Sequence, residues 1–142
     1  MRKLLIILVL FFLLSGCQFK AIEDRVISVN GQELNVEVVK SSAKMSKGLS
    51  GRTGLCQNCG MLFEYQGDQI RNFWMKDMEF PLDILWIKDD LVVGLQENIP
   101  IFDLAGQISQ MQSPQPVNRI LEVNSGWISK NKPKIGDKVL GL

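Results

Sequence analysis

The feature that most constrains the fold is a pair of β-branched runs on either side of Asn30-Gly31, in RVISVNGQELNVEVVK. Asn-Gly is the strongest short signal for a two-residue hairpin, because both turn positions require positive φ. In the second run, Leu34, Val36 and Val38 fall at every other position, which gives the strand one apolar face. The sequence therefore predicts an antiparallel strand pair at this point.

Further short apolar runs follow, each bounded by turn residues. GMLFEY and RNFWMK predict two strands separated by the polar turn QGDQ, and PLDILWIKDDLVVGLQ predicts two more around Asp89-Asp90. Regular structure is expected again at RILEVNSGW, and KPKIGDKVLGL predicts a turn at Gly136-Asp137 that enters a final strand. Leu82 to Ile87 is nearly continuous in apolar residues, which is typical of a central strand.

Helix is expected to be scarce. SSAKMSKGLSGR predicts one short helix, begun by Ser41 or Ser42 and ended at Gly51. The long segment from Asn98 to Asn118 is predicted to be irregular, because it contains three prolines. Many short strands with one or two short helices predict a mainly β domain, either a small β-sandwich or a partly open barrel.

The first sixteen residues have the layout of a secretory signal peptide. A basic start at Arg2 and Lys3 precedes an uncharged apolar stretch and two small residues. The tetrad LSGC, which ends at Cys17, resembles the lipobox of bacterial lipoproteins, in which the cysteine becomes the lipidated first residue of the mature chain. The alternative is an ordinary cleaved signal with an accidental cysteine. Acyl chains such as palmitate would anchor the mature chain to a membrane.

The predicted organisation is a signal peptide in residues 1–16, a lipidated tether in 17–24 and a single β-rich domain in 25–142. The lipidated chain would lie in the bacterial cell envelope, outside the cytoplasm. Gln18 is read in the lipoprotein class as a signal for the outer membrane, on its periplasmic side, if the host has two membranes. Loss of the leader changes 16 Lys and Arg against 15 Asp and Glu into 14 against 15. A nearly neutral domain argues against nucleic acid as a partner.

The chain contains no histidine. That excludes Ser-His-Asp and Cys-His catalysis and removes the commonest ligand of transition metals. We therefore expect neither a metal site nor a cofactor.

Cys56 and Cys59 stand two residues apart in the predicted loop from Thr53 to Gly60. Export would place them where disulfides persist, and the four-residue ring would contribute about 2 kcal/mol. A structural disulfide is the favoured interpretation. A redox dithiol would want its first cysteine at a helix N-terminus, and a metal site would need two more ligands, from a second chain. A free, reduced pair is the fourth possibility.

Asp83 is an acid inside the apolar run PLDILWI. A buried carboxylate needs donors or a cation, which Arg52, Lys76 or backbone amides of a turn could supply. One hypothesis places Asp83, Arg52, Lys76 and Trp74 around a polar binding pocket. The favoured alternative is a structural role for Asp83, in an ion pair or at a strand edge. Trp74, Met75 and Trp86 are predicted to be core residues, although an exposed Trp74 would be a ligand or partner contact.

The order of the segments KGLSGR, GMLFEY, NFWMKDMEFPLDILWI, RILEV and IGDKV resembles the family called domain of unknown function 192. The resemblance runs from Val26 to Val139. It implies a compact, mostly β domain of jelly-roll type, often secreted or lipid-anchored, and it implies no activity. The chain departs from the family pattern at Ser50, where methionine is common, and at Asp77 and Met78, where Asn-Thr is usual.

These observations favour a binding or interaction module of the envelope, whose partner is a protein or a small ligand. The segment from Asn98 to Asn118 and the region of Arg52 and Asp83 are the candidate surfaces. The rival class is an enzyme, either a thiol-disulfide redox protein using Cys56 and Cys59 or, less favoured, a hydrolase using Asp83. The sequence favours a binding protein over an enzyme and leaves both classes open.

Overall fold

The computed structural model describes residues 23–142; the predicted signal peptide, Cys17 and most of the tether lie outside them. The described chain contains nine strands and two short helices, which confirms the predicted mainly β class. In chain order they are β1 (Glu23–Val29), β2 (Gln32–Val39), α1 (Ser42–Lys47), β3 (Cys59–Gln69), β4 (Asn72–Trp74), β5 (Leu82–Lys88), β6 (Leu91–Ile99), β7 (Gln110–Gln112), β8 (Val117–Asn124), α2 (Trp127–Asn131) and β9 (Val139–Leu140).

Seven strands form one curled sheet in the order β6-β5-β8-β3-β2-β1-β9, and β4 pairs with β7 in a second, two-stranded sheet. Neighbours in the large sheet are antiparallel except β2 and β3, which are parallel. The two edges of the curl approach each other where Leu91 forms a bridge with Lys138. The result is the partly open barrel that the strand pattern predicts.

The large sheet is apolar on both faces. Leu62, Leu121 and Leu85 are register partners on three adjacent strands and share one face, where Trp127 of α2 joins them in a buried cluster. The opposite face carries a second cluster, which includes Phe63 and is covered by α1 and the β4–β7 sheet. Since a strand presents alternate residues to opposite faces, a side chain next to Leu121 must enter this second cluster.

The predicted hairpins form as expected. Asn30 and Gly31 both have positive φ, 50° and 75°, between β1 and β2. The turn at Asp89-Asp90 joins β5 to β6, and β5 lies between β6 and β8 with all of Leu82–Ile87 buried. β5 is therefore the central strand that its composition predicts.

Two local predictions are wrong. Helix α1 ends at Gly48, whose positive φ of 49° stops it three residues before the predicted stop at Gly51. The segment QGDQ belongs to β3, which passes through Gly67 and shifts its register against β8 between Glu64 and Gln69. RILEVNSGW is ordered, as expected: it contains the end of β8, and SGW leads into helix α2, which begins at Trp127.

The segment from Asn98 to Asn118 is less irregular than predicted. It contains β7, which pairs with β4; Met111 of β7 lies opposite Phe73 of β4. Its exposed turn is held by Asp103, whose carboxylate accepts the backbone N–H groups of Ala105 and Gln107 at 2.9 and 2.8 Å. The prolines therefore limit β7 to three residues without preventing it.

Candidate functional site

A groove of about 840 Å³ lies between α1 and the β4–β7 sheet, over the second face of the large sheet. Its apolar lining combines thioethers and aromatic rings from three elements: Met45 of α1, Phe63 of β3 and Met111 of β7. Polar side chains such as Ser46, Arg71 and Gln112 also line the groove, and a concavity that combines apolar surface with polar groups can bind a small ligand. Two of its charged residues, Glu122 and Arg71, are buried or partly buried.

Glu122 is the buried acid of the groove. It lies on β8 between Met61 and Ile84 of the adjacent strands and is only 6% exposed. Its Oε2 has no hydrogen-bond partner among the described residues. Burial raises the pKa of Glu122 to about 8, although the positive charge of Arg52 acts in the opposite direction. At neutral pH the groove therefore contains a protonated carboxyl group with unused hydrogen-bonding capacity.

Arg71 is the groove's partly buried cation. Its guanidinium lies 3.9 Å from the centroid of the Tyr65 ring, a cation–π contact. Two of its nitrogens donate to the carbonyl of Gly67 at 2.9 Å and to Gln69 at 3.3 Å. Its buried Nε lacks a partner within the described chain. Burial also raises the pKa of Tyr65 to about 12, so this phenol is neutral beside the guanidinium.

Trp74 lies at the groove and is 60% exposed, so the prediction of a core tryptophan is wrong for this residue. Strand β4 alternates, and its neighbour Phe73 instead points inward, edge-on to Phe63 at 5.0 Å and to Trp86 at 6.1 Å between ring centroids. The core predictions are confirmed for Trp86 and Met75, each 1% exposed. Trp74 is therefore available as an aromatic contact for a ligand.

Asp83 lies elsewhere, in the wall of the large sheet. Its carboxylate is fully buried and accepts the backbone N–H groups of Asn98 and Ile128, both at 2.8 Å. Arg52 instead pairs with Glu37 at 2.7 Å, and Lys76 is exposed. The hypothesis that Asp83, Arg52 and Lys76 converge on one pocket with Trp74 is not supported by these contacts, because only Trp74 lines the groove.

Cys56 and Cys59 form a disulfide, with 5.1 Å between their Cα atoms. Cys59 begins strand β3, and the side-chain amide of Asn124 donates to the carbonyl of Cys56 at 2.8 Å. The bridge thus fixes the loop that enters β3. Neither cysteine stands at a helix N-terminus, the position that favours a thiolate.

Two further observations concern metals and membranes. In residues 23–142, no group of three or more His, Cys, Asp or Glu side chains is placed to hold a metal ion. No helix in that part of the chain is long and apolar enough to cross a membrane.

Sequence reasoning missed Glu122 and Arg71. Glu122 stands in RILEV, an acid in an apolar run, which is the same signal that marked Asp83 in PLDILWI. Its alternation with Leu121 and Val123 could have placed it on the opposite face from those residues. No sequence signal marks Arg71, because its role depends on the β4–β7 sheet, whose strands are three residues each.

The described residues define a mainly β protein with a groove that contains a buried acid. The chain belongs to the family DUF192, described as "Uncharacterized ACR", which matches residues 25–141. No curated protein matches the chain.

Two solved structures are similar to it. A protein from Sinorhizobium meliloti 1021, whose description proposes a transcription regulator, gives a TM-score of 0.77 at 25% sequence identity, covering 85% of this chain and 95% of that chain. A protein of unknown function from Novosphingobium aromaticivorans DSM 12444 gives a TM-score of 0.75 at 27% identity, covering 86% and 88%. Both likenesses extend over nearly the whole β domain.

Proposed function

We propose that this chain is a lipid-anchored binding protein of the bacterial cell envelope, and that the groove between α1 and the β4–β7 sheet is its ligand site. One observation carries the choice of site: the groove contains a buried carboxyl group, on Glu122, whose Oε2 has no partner within residues 23–142. Buried polar atoms are nearly always hydrogen-bonded, and leaving one unpaired costs about 1–3 kcal/mol. A ligand would supply the missing bond.

The sequence and the disulfide together support a location outside the cytoplasm, on a membrane. The basic start, the apolar stretch and LSGC support export and lipidation at Cys17. The Cys56–Cys59 disulfide supports an oxidising compartment. If the host has two membranes, Gln18 favours the periplasmic side of the outer membrane. Metabolic labelling with palmitate tests this step: the wild type should be labelled and Cys17→Ser should not, whereas an unlabelled wild type would contradict the anchor.

Binding is favoured over catalysis because the candidate catalytic groups are engaged in structure. Both oxygens of Asp83 accept backbone N–H groups, which leaves a hydrolase mechanism no free base there. Cys59 begins a strand, which gives thiol-disulfide exchange no helix dipole. A role in binding nucleic acid, which the description of the S. meliloti protein as a regulator would suggest, is not favoured here, because the mature chain has 14 Lys and Arg against 15 Asp and Glu.

The ligand-site proposal can be tested by blocking the groove from α1. Ser46 is exposed and lines the groove, whereas Ala43 is exposed on the same helix and does not. Native mass spectrometry of the full chain, purified from the cells that produce it, should find a bound small molecule in the wild type and in Ala43→Trp. The Ser46→Trp variant should lose it. Equal occupancy in both variants would contradict the assignment.

A further inference from the structure

We propose that the groove selects amphipathic monocarboxylates, whose carboxylate is held jointly by Glu122 and Arg71 and whose apolar part lies against Met78, Met111 and Trp74. This inference rests on the proposed ligand site and names its ligand class. It depends on two buried polar atoms without hydrogen-bond partners, Oε2 of Glu122 and Nε of Arg71, whose residues both line the groove.

The two unpaired atoms belong to one site. Oε2 of Glu122 and Nε of Arg71 are both buried, both lack partners within residues 23–142, and both residues line the groove. Both also lie close enough to Tyr65 to affect the pKa of its hydroxyl. A single small head group that accepts two hydrogen bonds would satisfy both residues, with Nε–H as one donor and the carboxyl O–H of Glu122 as the other. Because both atoms are buried, binding requires the two side chains to shift and turn these groups toward the groove.

The charges around the groove favour an anion. The cations that line it are Arg71 and Lys47, and the carboxyl of Glu122 is neutral below its pKa. The other charged groups near Glu122 form a pair of their own, since Arg52 on the loop after α1 binds Glu37 of β2 at 2.7 Å. An ammonium ligand would face these cations, whereas a carboxylate would gain a charge-assisted bond from Arg71.

The apolar lining sets the rest of the ligand. Met78 and Met111 are buried beside the groove, and thioethers adapt to irregular apolar shapes. The exposed ring of Trp74 offers one wall. A volume of about 840 Å³ lies within the range of small-ligand pockets and exceeds what a carboxylate alone would occupy. The ligand is therefore an acid with a substantial hydrocarbon or aromatic part.

The direction in which ligand affinity changes with pH identifies the head group. A carboxylate bound to the protonated form of Glu122 must lose affinity as that carboxyl ionises. With a free pKa of about 8, affinity should fall by up to about 30-fold between pH ~6.5 and pH ~9.5. An ammonium ligand would behave in the opposite way, because it binds the ionised form and gains affinity as pH rises.

The probe is octanoate, compared with octylammonium and octanol, which share its chain and differ in head group. The full chain is purified from producing cells and reconstituted into phosphatidylcholine nanodiscs, and binding is followed by calorimetry. Partition into the bilayer is the same for all variants, so Ser46→Trp measures the background and Ala43→Trp controls for the added ring. Octanoate should bind most tightly of the three.

Two substitutions locate the contacts. Glu122→Gln keeps a donor but cannot ionise, so octanoate should bind it with nearly the same affinity at both pH values. Arg71→Gln should weaken binding at least about tenfold at pH ~6.5, whereas Lys130→Gln on the distant helix α2 should not. Thermal melting of each variant shows whether the fold is intact. Arg71→Gln should still bind the uncharged ligand octanol, which would show that the variant has lost the contact to the carboxylate and not its fold.

The outcomes distinguish this inference from the proposed ligand site. Tighter binding of octylammonium, with affinity rising with pH, would overturn the carboxylate assignment and leave the groove as the site. Octanoate affinity that is independent of pH in the wild type would overturn the role of Glu122. Equal binding by Ser46→Trp and Ala43→Trp would overturn the site itself.

Discussion

The carboxylate of Asp83 accepts the backbone N–H of Ile128 at 2.8 Å, and this bond ties helix α2 to the central strand β5. The other oxygen accepts the N–H of Asn98 near the end of β6. One fully buried side chain on β5 thus contacts the neighbouring strand β6 and helix α2, which is distant along the chain. The acid that interrupts PLDILWI has a structural explanation.

Asp83→Asn should therefore destabilise the fold. The amide keeps one acceptor and turns its NH₂ group toward a backbone donor, so one buried N–H loses its partner. We expect a loss of about 3 kcal/mol in the free energy of unfolding, measured by urea denaturation. Asp103→Asn is the matched control, because Asp103 makes the same kind of bonds in an exposed turn and should cost less than about 1 kcal/mol. An Asp83→Asn variant as stable as the wild type would contradict this account.

The disulfide makes a separate contribution. Replacing Cys56 and Cys59 together by serine opens a four-residue ring in the unfolded chain and should cost at most about 2 kcal/mol, seen as a lower melting temperature. Adding a reductant should lower the melting temperature of the wild type by a similar amount and leave the double variant unchanged. If the double variant melts like the oxidised wild type, the bridge is not a stabilising clasp.

Glu122 should make stability depend on pH. Its pKa is about 8 in the folded state against 4.5 as the ordinary value, so between these values the folded chain retains a proton that the unfolded chain has lost. Stability relative to Glu122→Gln must then fall as pH rises through this window and stay level below it. At about 1.4 kcal/mol for each pKa unit, the full difference is at most roughly 5 kcal/mol.

Urea denaturation of the wild type and Glu122→Gln from pH ~4 to pH ~9 measures this difference. Glu97→Gln, an exposed position on β6, serves as the control for the substitution itself. Parallel stability curves for the wild type and Glu122→Gln would show that the carboxyl is ionised in the folded state, which contradicts the proposed protonated acid.

Trp74 should dominate the emission that solvent quenchers can reach. It is 60% exposed, whereas Trp86 and Trp127 are 1% and 6% exposed. Trp74→Phe should remove most of the fluorescence quenched by acrylamide, and Trp127→Phe should remove little of it. The reverse result would place Trp74 in the core, as its sequence position first indicated.

The strand framework could be predicted because turn chemistry and alternation are local. Asn30-Gly31 and the turn at Asp89-Asp90 each require a particular backbone conformation. The apolar run of β2 has one buried face, and that of β5 is buried on both faces. The end of α1 at Gly48 was harder to predict, because Gly48 and Gly51 both have positive φ and either could end the helix.

The candidate site was largely beyond sequence reasoning. Asp83 and Glu122 carry the same signal, an acid in an apolar strand, yet backbone amides satisfy one and leave the other unpaired. Which acid finds donors depends on where helix α2 and the end of strand β6 lie relative to it, and tertiary structure decides that. Trp74 was misplaced for a related reason, since a three-residue strand is too short for alternation to be read.

The most direct test of the central claim is the titration of the Glu122 carboxyl in the full chain, by ¹³C NMR with the signal assigned from Glu122→Gln. The account predicts a pKa of about 8 in the free protein and a higher pKa when octanoate fills the groove. A carboxyl that titrates near its ordinary value and does not respond to octanoate would contradict the account.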